Sequence, residues 1–144
     1  MQSEGRLLQK VNLDTGLMIY FYDLSRPVAD KLWQVRLLVS IPVSVEAEYF
    51  RDCAEPKPAY AEFTAALGET IPFTLEKVRN FIAEDKVNET LEQMKQDFLD
   101  SNTSYVSNSK FAERFITKRY IEWKEEDKSK KSYLAAVRNA GRLS

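Results

Sequence analysis

No histidine occurs anywhere in the 144 residues. That absence removes Ser-His and Cys-His nucleophile pairs, His-ligated zinc or iron, and imidazole acid–base chemistry near neutral pH. An enzyme built from this chain would rest on carboxylates, lysine, tyrosine or a thiol, and we lean against an enzyme. There is one cysteine, Cys53, which forms no internal disulfide and agrees with a reducing compartment. Beside Asp52 and Glu55, with Arg51 as its one positive neighbour, it reads as an inert thiol. The four glycines stand singly, so there is no phosphate-cradling loop of the P-loop or Rossmann type. No apolar run approaches the ~18 residues of a membrane span. The first residues, MQSEGRLLQKV, lack a basic start followed by an apolar stretch, and a cytoplasmic location is expected.

What is present is an ordinary globular composition, 44% hydrophobic and 30% charged, which suits one domain over 1–144 with looser ends at 1–5 and 129–144. The densest β-forming stretch is Leu17 to Val43. Trp33, Val35, Leu37, Val39, Ile41 and Val43 recur with a period of two, the pattern of a strand with one buried face. Leu17–Tyr22 is apolar on both faces, as in a central strand. Tyr20 and Tyr22 offer either core packing or, if their hydroxyls meet solvent, a stacking platform. Leu7–Leu13 precedes them as a first strand, and Gly16 supplies a turn. Residues 24–30 break the alternation at Pro27 and read as a loop or bulged edge.

After an ambiguous stretch at 43–50, a short helix from Pro58 ends at Gly68. A fourth strand runs from Ile71 toward Phe81, although Leu75, Val78 and Ile82 also fit a helix. Val87, Leu91, Met94 and Phe98 mark one face of a helix that Asp85 is placed to cap. A further helix starts near Ser109, with Phe111, Phe115, Ile116, Tyr120 and Trp123 as its apolar side, and fades across 125–131. A last short helix centres on Leu134 and Val137. The order implies an α+β domain: an antiparallel sheet of about four strands, an N-terminal three-stranded meander plus one later strand, with the C-terminal helices packed on one face.

Charge is unevenly spread. Residues 1–109 hold 11 Lys/Arg against 17 Asp/Glu, and 110–144 hold 10 against 5. Lys118, Arg119, Lys124, Lys128, Lys130 and Lys131, with Arg138 and Arg142 beyond, are candidates to contact an anionic partner. The opposing account is a solvated helix face paired to an acidic body. Glu46, Glu48, Asp52, Glu55 and Glu62 cluster without metal-ligand spacing. Asp23-Leu24-Ser25-Arg26-Pro27-Val28 resembles the D-x-S-x-x-G element of PilZ domains, which implies cyclic di-GMP binding. Val28 stands where the glycine belongs, no R-x-x-x-R precedes it, and an Asp/Ser turn explains the same letters.

These features lead us to expect a small non-enzymatic interaction module. Phe111, Phe115, Tyr120 and Trp123 form a stripe for a protein partner or a second copy. Nucleic-acid or phospholigand binding through the basic C-terminal helix is the second reading, and a carboxylate- or tyrosine-based enzyme the third. No catalytic, metal-ligating or cofactor-binding residue is singled out, and neither a cofactor nor a membrane is expected.

Overall fold

Thirteen residues, Leu32–Ser44, form the strand on which the sheet is built, β4. Val35, Leu37, Val39, Ile41 and Val43 are fully buried on one face, as their period of two predicts. The computed structural model describes residues 5–143, with side chains through Ala140. Residues 1–4 of the expected loose N-terminus, Ser144 and the Arg142 side chain lie outside the described residues.

Four other strands surround β4: β1 (Arg6–Asn12), β2 (Met18–Asp23), β3 (Arg26–Ala29) and β5 (Thr70–Ala83). All pairings are antiparallel. β2 lies along Leu37–Ser40 and β3 along Leu32–Gln34. β5 pairs with β4 from Leu32 to Ser44, so β2 and β3 must share the other edge. Five strands therefore occupy four rows, with β1 outside β2. The architecture is the expected α+β meander plus one later strand; the addition is β3, within a stretch expected to be loop or bulged edge.

Local chemistry explains how the second row is broken without orphaning β4. Asp23 Oδ1 accepts the Ser25 N–H at 2.8 Å, and Ser25 Oγ accepts the Arg36 N–H at 3.0 Å. Leu24 N–H donates to the Arg36 carbonyl at 2.9 Å. Both backbone groups of Arg36 are thus satisfied where a continuous strand would have met them. The letters that resemble a ligand loop build this kink.

Asp23 also meets Arg6 across the sheet at 3.0 Å. Burial pushes its carboxyl up, but hydrogen bonds from Ser25 and the Arg6 guanidinium outweigh it and hold the group below its usual value. A depressed carboxylate stabilises the fold above its unfolded pKa, and that contribution is lost as pH falls through the folded value. Asp23→Asn is expected to lower the melting temperature at pH 7 and to narrow the difference between pH 7 and pH 3. Thermal melts at the two pH values check this, and an unchanged difference would refute it.

On the β4–β5 ladder, Pro42 faces Pro72. Two residues without an N–H can face each other only at a non-hydrogen-bonded position. Pro72, Thr74, Glu76 and Val78 therefore turn their backbone groups away from β4. Further along, Trp33 pairs with Ile82 and Val35 with Arg79, leaving an extra residue on β5. Phe81 sits in this bulge at φ 58° and is 73% exposed.

Contacts divide the chain into two units, residues 1–44 with 70–111, and 45–69 with 112–144. In the first, helix α2 (Val87–Val106) buries Val87, Leu91, Met94 and Phe98, the face its spacing predicted. Phe98 meets Phe21 of β2 edge-on at 5.9 Å. Asp85 does not cap it. Glu84–Lys86 forms a 3-10 turn, Lys86 occupies the cap position, and no side chain caps the helix. Glu84 and Asp85 still place negative charge at its positive end.

In the second unit, a 3-10 turn (Ala47–Phe50) leads to helix α1 (Pro56–Leu67), which ends at Gly68 with φ 94°. Val45 N–H bonds the Glu69 carbonyl at 2.9 Å, closing the segment on itself. The other member is helix α3 (Phe111–Leu143), 33 residues and about 50 Å long. One continuous helix replaces the two pieces expected around 125–131. The stretch Lys124–Lys131 is rich in Glu and Lys, both good helix formers, and Asp127 pairs with Lys131 one turn on at 3.0 Å. The start near Ser109 moves to Phe111, whose N–H bonds the Asn108 carbonyl.

Candidate interaction site

Along α3, Ile116, Tyr120, Trp123, Asp127, Lys130, Leu134 and Val137 follow one another at alternating intervals of four and three. That spacing keeps them in one seam along the helix. The inner end of the seam is covered. Ile116 is fully buried. Tyr120 lies edge-on to Phe50 at 5.1 Å and to Phe63 at 5.6 Å, and Trp123 meets Phe63 at 5.7 Å. Phe50 and Phe63 touch each other at 5.7 Å, so residues 47–67 and the inner half of α3 share one aromatic core.

Past Trp123 the cover stops. Every described side chain from Lys128 to Ala140 is exposed, including Tyr133 at 68%, Leu134 at 50% and Val137 at 51%. The stripe expected to meet a partner is placed differently along its length. Phe111 is buried against Phe73 and Tyr105, each at 5.3 Å. Phe115 is half-buried, and Tyr120 and Trp123 belong to the aromatic core. The exposed continuation is Tyr133, Leu134 and Val137. Its signal was legible as a helix centre at Leu134 and Val137, but it joins the seam only once α3 is unbroken.

The cations divide likewise. Arg119 reaches Glu126 at 3.6 Å and Lys131 reaches Asp127 at 3.0 Å. Lys124 lies over the Trp123 ring at 5.8 Å. Lys118, Lys128, Lys130 and Arg138 have no carboxylate partner among the described residues. Residues 128–140 hold four cations and no anion. No known protein family, curated protein or solved structure matches this chain.

The acidic counterpart lies in the same unit. Segment 45–69 holds six Asp/Glu against two Lys/Arg. Glu46, Glu48, Asp52, Glu55, Glu62 and Glu69 are exposed and make no ion pair among the described residues. Arg51 instead turns to Glu113 of α3 at 2.7 Å. The Tyr49 hydroxyl is pushed up by burial and by Glu46, Glu48 and Glu113, in keeping with local negative potential. No group of three acidic or cysteine side chains among the described residues is arranged to hold a metal ion. No described helix is long and apolar enough to cross a membrane.

Two other clusters invite chemistry. Tyr20 and Tyr22 are half-buried on the sheet face opposite α2, near-parallel at 6.3 Å, with Lys10 Nζ 5.8 Å from the Tyr20 ring. Around them the polar groups answer one another: Arg36 with Glu76, Arg26 with Gln34, Gln34 with Asn80. On the α2 side, buried Lys95 bonds Gln9 at 2.7 Å and Glu92 at 2.9 Å. Cys53 is half-buried near Tyr120, whose hydroxyl is pushed up by burial and then by Cys53 and Glu62.

Proposed function

We propose that this chain is a cytoplasmic, non-enzymatic interaction module whose docking element is the outer half of α3. The observation that carries this reading is the seam that is covered as far as Trp123 and bare at Leu134 and Val137. Most helical stability in proteins comes from packing of an amphipathic face, and the outer turns have none among the described residues of this chain, so burying them favours a bound state. Leu134 and Val137 supply the apolar contact. Lys128, Lys130, Lys131 and Arg138 select a protein surface rimmed with carboxylates, in the manner of a helix laid in a groove.

A photo-crosslinking residue at position 134 tests this in the source cells. We expect one discrete adduct to a protein chain, lost when Lys128, Lys130 and Lys131 are all changed to glutamate. An adduct ladder without a dominant species, or one indifferent to the charge reversal, would overturn the reading.

A further inference from the structure

The complement that the outer half of α3 calls for, exposed carboxylates beside an aromatic helix seam, is present on this chain itself. Resting on the docking role above, we propose that the occupant is a second copy of this chain, arranged antiparallel along α3. In that arrangement Lys128, Lys130, Lys131 and Arg138 of each copy lie beside the acidic segment 46–62 of the other.

Geometry keeps the two complementary parts of one copy apart. Phe50 holds the acidic segment against α3 at Tyr120, and Arg51 ties it to Glu113, nearer the helix start. Along the axis, Lys128 lies about 12 Å and Arg138 about 27 Å beyond Tyr120, at about 1.5 Å per residue. The helix carries its cations away from their own carboxylates. Reversing one α3 against another returns them: the basic outer end of each copy reaches the level of the other's inner end, where the acidic segment is fixed. The contact is self-complementary, as a two-fold interface requires, and it closes at two copies. Leu134 and Val137 then face the partner's segment 46–62, and the opposed helix dipoles attract. A nucleic acid or an anionic membrane would also attract the cations, but neither would use the exposed carboxylates.

Charge swapping decides the matter. Sedimentation velocity at low salt should give twice the 16.7 kDa chain mass, falling to the single chain as salt rises. The arm variant K128E/K130E/K131E/R138E and the segment variant E46K/E48K/D52K/E55K should each be monomeric. Mixed in equal amounts, they should restore the dimer, because both contacts of the mixed pair again join opposite charges. Circular dichroism confirms that each variant is folded. Should one fail to fold, the purified wild-type chain with the photo-crosslinker at position 134 replaces it, and an adduct joining that position to residues 46–62 of a second copy is required. A wild type that stays monomeric at low salt, or folded variants that do not recombine, would overturn the proposal. A monomer that still gives the charge-dependent adduct to a different protein in cells would overturn this inference alone and leave the docking role standing. Salt-sensitive binding to single-stranded DNA or anionic vesicles without self-association would overturn both.

Discussion

Phe21→Ala is expected to lower the unfolding free energy by about 3–5 kcal/mol, the cost of removing a large buried ring and leaving its volume unfilled. Phe21 has no exposed surface and stands in β2, between β1 and β4. Its ring meets the edge of Phe98, where α2 lies on the sheet, so the substitution removes transfer energy and a directional aromatic contact together. Such contacts add about 0.5–1.5 kcal/mol beyond their area. The melting temperature should fall by about 10 °C for a chain of this size. Urea titration should show a lower midpoint with an unchanged slope, the mark of a lost native contact. A loss below about 1 kcal/mol would mean that the α2–sheet contact is not the centre of this unit's core.

The second large effect is in the other unit. Phe63 is fully buried and its ring meets Phe50, Tyr120 and Trp123 at 5.6–5.7 Å. Phe63→Ala removes the α1 ring that meets both the 3-10 turn and α3, at a cost again of about 3–5 kcal/mol. Trp123 reports the event directly. Its emission should shift to the red as water enters the space beside it, and the unfolding midpoint should fall. An unshifted spectrum would show that Trp123 does not depend on Phe63 for its cover.

How much of this was legible beforehand differs by element. β4 was plain because a period of two over Trp33–Val43 has one physical meaning when one face is buried. The α2 face was plain for the same reason at a period near 3.6. Asp85 misled because a good capping residue precedes many helices, whereas here a 3-10 turn intervenes. β3 was hidden by Pro27, whose effect on a ladder depends on which edge it meets. The outer seam of α3 was hidden by Asp127 and Lys130, which interrupt the apolar pattern while keeping its spacing. The acidic segment was noticed as composition, but its attachment beside the inner half of α3 arises from Phe50 and Phe63, contacts distant in sequence that no local pattern encodes.

The facing prolines of β4 and β5 set a limit on how this protein can aggregate. Beyond β5, an incoming strand would meet outward N–H donors at Thr70, Thr74, Glu76 and Val78, with Pro72 silent among them and the Phe81 bulge bending the chain after them. Proline, bulging and charge at an edge are the means by which proteins resist sheet-to-sheet growth. Sheet extension past β5 is thus hindered at the backbone itself, by one position that cannot donate and by one bend.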